Sequence, residues 1–250
     1  MRFRPFTVAM VASAIVLAGA CGAAGSAATP VPESSSSPTT TTSTTSTPPT
    51  TSTPRMTSED LMKLARRSVV RVRNTGCGEL SVGSAWLADD GRMVSNQHVV
   101  EGVRGLEMST WDGRDLAVSS IEAATSADVS RVVATWPQSA DLKPMAIRTT
   151  RVEPGERIAI LGYPEGGELA VSTGVALEYA TDPNLAPREI LKLTNVVKPG
   201  NSGGPAVDQL GQVVGVVYAE EIKTDASLVI PITDAVGPTA VPMQPVLACS

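Results

Sequence analysis

Pro199-Gly200-Asn201-Ser202-Gly203-Gly204-Pro205 sets six small or constrained residues around one serine, between two strand-like segments. A serine hydroxyl acts as a nucleophile when a tight turn exposes it, and the glycines let the N–H groups of Gly200 and Ser202 converge where a tetrahedral oxyanion would sit. Most such turns are only turns. A second feature gives this one weight: the single histidine, His98, lies in Met93-Val94-Ser95-Asn96-Gln97-His98-Val99-Val100, just after a predicted strand. Alone it would be read as a surface or core residue; beside the serine turn it becomes a candidate proton acceptor.

Working outward, short β-branched runs dominate both sides of the serine. Val69 to Arg73, Val82 to Leu87, Arg157 to Leu161, Leu169 to Leu177, Ile190 to Leu193, Val213 to Tyr218 and Leu228 to Ile230 are separated by Gly, Pro, Asp and Asn. About a dozen such strands at close spacing predict an all-β sandwich or a pair of barrels. Ahead of them, Thr57 or Ser58 is placed to cap a short helix with acids in its first turn and Arg66-Arg67 in its last.

Ser95-Asn96-Gln97-His98-Val99-Val100 resembles the segment bearing the histidine base in trypsin-like serine proteases, the bacterial HtrA type above all, and Gly200 to Pro205 is similar to their nucleophile loop. The order, histidine before serine, is theirs too. Leu161 to Gly166, Ser172 to Val175, Gly215 to Val217 and Ser227 to Ile232 look like further pieces of the family, so the resemblance covers roughly residues 60 to 235. It implies two six-stranded β-barrels with the site between them. It also implies that Ser202 attacks a peptide carbonyl, His98 takes and returns the proton, an aspartate orients the imidazole, and the Gly200 and Ser202 N–H groups hold the oxyanion, with no metal or cofactor.

Two aspartates compete for the third role. Asp115-Leu116-Ala117-Val118 matches the family's wording more closely, whereas spacing after the Asp112-Gly113-Arg114 hairpin favours Asp128; Asp141 is remote from both patterns. Counting back six residues from Ser202 reaches Val196, the position at which trypsin-like enzymes carry the base of the primary specificity pocket; the resemblance then implies Val216 and Val217 on its wall and small or medium apolar side chains before the scissile bond, the other reading of Val196 being an ordinary core residue. Asn201 stands where the digestive trypsins carry the aspartate that captures a liberated N-terminus, so activation of that kind is not expected. Only 18 residues follow Ile232, so the PDZ domain usual in HtrA-type proteins is not expected either.

The N-terminal portion reads differently. Arg2 and Arg4 precede a charge-free run from Thr7 to Ala20, a secretory leader pattern over residues 1–20, and Leu17-Ala18-Gly19-Ala20-Cys21 resembles the lipobox in which the cysteine is acylated. Residues 29 to 54 hold 7 Ser, 11 Thr and 6 Pro, a composition that cannot form a core and suits a tether over 21–56 ahead of a protease domain over 57–250. With Cys21 lipidated, Cys77 and Cys249 remain as a disulfide pair in an oxidising compartment or as two free thiols; membrane-bound actinobacterial relatives with a supporting disulfide favour the pair.

These features place the chain at the outer face of a bacterial membrane, or secreted, with protein or peptide as its partner. The net charge of −5 disfavours nucleic acid, and one histidine with three dispersed cysteines provides too few ligands for zinc. The competing class is a catalytically inactive trypsin-like module that binds or scaffolds on a lipid anchor, because fold alone never proves activity.

Overall fold

Thr57 caps α1 (Ser58–Ser68): its hydroxyl accepts the Asp60 N–H at 3.2 Å while Asp60 Oδ2 accepts the Thr57 N–H at 3.0 Å. This reciprocal pair satisfies two N–H groups that helix geometry leaves unpaired, and it selects Thr57 over Ser58 as the cap. Leu61, Ala65 and Ser68 lie on the buried face. The computed structural model describes residues 55–76, 78–182, 188–221, 223–236 and 242–248, so the leader, Cys21, the Ser/Thr/Pro tract, Cys77 and Cys249 lie outside the described residues.

The first barrel is built from β1 (Val69–Gly76), β2 (Glu79–Leu87), β3 (Met93–Ser95), β4 (Leu106–Ser109), β5 (Asp115–Ala124) and β6 (Val129–Thr135), with α2 (Gln97–Val100) following β3. The sheet runs β5-β4-β1-β2-β3-β6, and β5 pairs again with β6 to close it. The second barrel, order β10-β11-β12-β9-β8-β7, is closed from β7 (Arg157–Gly162), β8 (Ala170–Thr181), β9 (Glu189–Leu193), β10 (Pro205–Val207), β11 (Val213–Glu221) and β12 (Ala226–Pro231). After α3 (Ile232–Val236), β13 (Gln244–Pro245) adds to the first barrel by pairing with β5. Two six-stranded barrels are the predicted architecture; β4 and β10 escape the pattern because three or four residues are too few to show a period.

Alternation along the strands sorts the core into three parts. Val72, Leu87, Met93, Met108 and Val132 fill the first barrel, and Ile158, Ile160, Leu193, Val217 and Val229 fill the second. A third cluster, with Leu61 and Ala65 of α1, Trp86, Val94, Leu161, Val216 and Ile230, forms from the opposite strand faces and fuses the barrels. Fully burying each large side chain contributes about 1.5–3 kcal/mol, so this third cluster fixes how one barrel sits on the other.

Candidate active site

The turn that carries Ser202 leans on the first barrel. The Ser84 N–H donates to the Ser202 carbonyl at 2.8 Å. The Ser84 hydroxyl donates to the Gly200 carbonyl at 2.7 Å and accepts the Tyr163 N–H at 3.0 Å. Gly200 and Gly203 have φ of 95° and 84°, and a Cβ at Gly200 would collide with the Tyr163 carbonyl, one at Gly203 with the Ser84 carbonyl and the Ser95 hydroxyl. Both glycines are therefore required by backbone sign and by space. Among the described residues, neither the Gly200 nor the Ser202 N–H donates to a protein acceptor. The two donors are available to a developing negative charge.

His98 enters from β3 through Asn96, on the first turn of α2. Its Nδ1 lies 2.9 Å from Oδ2 and 3.1 Å from Oδ1 of Asp128, and its backbone N–H donates to Oδ1 at 3.0 Å. An ionised carboxylate only accepts, so the neutral imidazole carries its proton on Nδ1 and presents Nε2 as an acceptor. Asp128 is 7% exposed and follows a single 3-10 turn, Thr125–Ala127, with φ 49° and ψ 43°. That left-handed conformation costs free energy in a non-glycine residue, and side chains hold it: the Asn96 amide donates to the Asp128 carbonyl at 2.8 Å, and the Ser130 hydroxyl steadies the Asn96 carbonyl at 2.9 Å. The Ser202 hydroxyl has the Tyr218 carbonyl as its partner, 3.5 Å away, at the outer limit of a hydrogen bond.

Of the three candidate aspartates, Asp128 is the one beside His98. Asp115 is exposed at the start of β5, opposite Ser109, and Asp141 pairs with Arg67 at 3.1 Å and Lys143 at 2.9 Å on the surface. The left-handed turn after Thr125–Ala127 brings the Asp128 carboxylate to His98.

A cleft of about 320 Å³ opens beside Ser202, lined by Val197, Lys198, Pro199, Asn201, Val217, Ala219 and Glu220. Val217 is among these lining residues. Val196 is not: it is 65% exposed, because Asn195 and Val197 on either side point inward at 1% and 4%. Val216 is also misplaced, since alternation along β11 turns it into the cluster between the barrels with 0% exposure. Beyond Val217 the bulge between Val217 and Ala219 carries the wall onward to Ala219 and Glu220. Tyr218, the extra residue of that bulge, is buried, and burial, with the neighbouring Asp182 carboxylate, pushes its phenol above the ordinary range.

The supporting residues Ser84, Asn96, Ser130 and Arg188 were not singled out from the sequence. The carbonyls that these four side chains reach at the site, those of Gly200, Asp128, Asn96 and Ala127, lie 32 to 116 residues away, and no local spacing marks them.

Two closed six-stranded barrels packed through one shared cluster define the trypsin-like class of β protein. The chain belongs to the trypsin-like peptidase domain family, which matches residues 83–216. Its sequence is 26% identical over 165 residues to serine protease Rv3671c of Mycobacterium tuberculosis, covering 62% of this chain and 41% of that protein. It is 30% identical over 149 residues, 54% of this chain and 29% of the relative, to a DegP-like protein of Halomonas elongata whose name describes a periplasmic serine endoprotease. The chain thus spans less than half the length of these relatives. The crystal structure of Rv3671c protease in its active form superposes with a TM-score of 0.61 at 24% identity, over 68% of this chain and 78% of that one.

Proposed function

We propose that this protein is an extracytoplasmic serine endopeptidase that cleaves peptide bonds through Ser202, His98 and Asp128 by way of an acyl-enzyme. The observation that supports this reading is the His98–Asp128 pair at 2.9 Å, three residues along the chain from Ser95, against which Gly203 of the serine turn packs. In the proposed reaction Ser202 Oγ attacks the substrate carbonyl as its proton passes to His98 Nε2. Asp128 stabilises the imidazolium, and the Gly200 and Ser202 N–H groups receive the oxyanion. His98 then protonates the leaving amine, and water repeats the cycle on the acyl-enzyme. Val197, Val217 and Ala219 favour a small or medium apolar side chain before the scissile bond, because a cation placed against them would lose hydration.

A fluorophosphonate serine-hydrolase probe tests the reading. Labelling of the wild type and none of Ser202→Ala is expected; an unlabelled, folded wild type would overturn it and leave the binding module. Export rests on the leader pattern and on the periplasmic relative. Lipid on Cys21 and a Cys77–Cys249 bond complete the proposal, checked by intact mass of membrane fractions and by non-reducing peptide mapping. A mature form beginning beyond Cys21, or two alkylated thiols without prior reduction, would remove them.

A further inference from the structure

Arg188 stands at the neck of the β8–β9 hairpin, where its carbonyl accepts the Asp182 N–H at 2.7 Å. The two side chains are buried, 9% and 0% exposed. Arg188 Nε donates to Asp182 Oδ2 at 3.0 Å and Nη2 reaches the same oxygen, while Nη1 donates to the carbonyl of Ala127, the residue before Asp128. The guanidinium carbon lies 5.1 Å from the centre of the Tyr218 ring, and the Tyr218 carbonyl is the partner of the Ser202 hydroxyl. One side chain of the second barrel therefore grips the Asp128 turn of the first and packs on the strand behind Ser202.

A buried ion pair is a poor source of stability, since desolvating two charges offsets most of their attraction. What a guanidinium supplies is direction, because its planar fork fixes several donors at once. The turn it grips needs direction: Asp128 sits in the left-handed region, and its backbone is otherwise tied by the Asn96 amide and by its own N–H to Thr125 O at 3.3 Å. Arg188 is absent from the cleft lining, so it does not meet substrate there.

We propose that Arg188, oriented by Asp182, is a positioning residue that holds the Ala127–Asp128 turn across the barrel seam and so sets the Asp128 carboxylate against His98. This rests on the proposed triad, and its test separates the two. Because His98 is the only histidine, the ¹⁵N and ¹H signals of its imidazole report this pair without assignment ambiguity. Wild type should show the Nδ1–H tautomer with a downfield, slowly exchanging Nδ1 proton. Arg188→Met should lose that proton signal and lower kcat by about 10- to 100-fold with KM within about twofold. Arg188→Lys keeps the charge without the fork and should fall between. Arg151→Met, which removes an exposed pair to Glu189 on β9, should change neither readout.

A folded Arg188→Met with wild-type kcat and imidazole signals overturns the proposal. Should that variant fail to fold, unchanged imidazole signals in both Arg188→Lys and Asp182→Asn overturn it instead. Should the wild type neither label nor cleave, the protease reading fails, and the imidazole spectra still decide whether Arg188 sets the His98–Asp128 pair.

Discussion

The turn that carries Ser202 and the turn that carries Asp128 are built by opposite means. Around Ser202 the shape comes from the backbone: two glycines with positive φ, and carbonyls that accept from Ser84. Around Asp128 no glycine is present, and the left-handed backbone is held by side chains sent from elsewhere, Asn96 from the end of β3 and Arg188 from the second barrel. A turn made of glycine is written in its own residues. A turn made by distant side chains exists only once the chain has folded around it.

The sharpest way to break this contrast is at Asp128. Asp128→Asn should lower kcat by about four orders of magnitude, because an amide favours the wrong imidazole tautomer, whereas Asp115→Asn on the exposed edge of β5 should stay within about twofold. Steady-state kinetics on the two variants decides it, and loss in Asp115→Asn alone would reverse the assignment.

At the other turn, Gly200→Ala drives a Cβ into the Tyr163 carbonyl and must shift the turn that carries Ser202. A fall in kcat of about 10²- to 10³-fold is expected, with the fold checked by circular dichroism. Full activity would mean that the turn tolerates what its geometry forbids.

A peptide panel probes the cleft beside Ser202. Val, Ala or Leu before the scissile bond should exceed Lys or Arg by about tenfold or more in kcat/KM. Preference for the basic residues would shift the specificity role to Glu220, the carboxylate on the same wall.

The smallest effect belongs to an ion pair that holds neither turn. Arg148 donates to Glu156 at 2.6 and 2.9 Å, and it keeps the Glu156 carboxyl below its ordinary value of 4.5. A depressed carboxylate contributes stability above the unfolded value and loses it as pH falls through the folded one. Glu156→Gln should therefore cost on the order of 1 kcal/mol near neutral pH, a difference that shrinks below about pH 4, while kcat is unchanged. Thermal melts across that range, set beside the kinetics of Arg188→Met, separate a pair that stabilises from a pair that positions.

How legible each part was follows the same division. The all-β class, the N-terminal helix and the strands β1, β2, β7, β8, β9, β11 and β12 could be read because alternation and turn residues are local signals. The serine turn and His98 were readable because each is marked by its immediate neighbours. Val196 misses the cleft because inward and outward positions alternate there: Asn195 and Val197 point inward and Val196 to solvent, a choice that the chain's closing into a barrel makes.

By itself the sequence determined that the chain forms short paired strands around a glycine-bearing serine turn and a lone histidine, since residue type and near-neighbour spacing specify backbone conformation. Only the tertiary structure decided which aspartate reaches His98, that Val216 packs between the barrels while Val217 lines the cleft, and that Arg188 grips the Asp128 turn. Those outcomes depend on the closing of two barrels and on their packing through one shared cluster, which brings together residues that are dozens of positions apart along the chain.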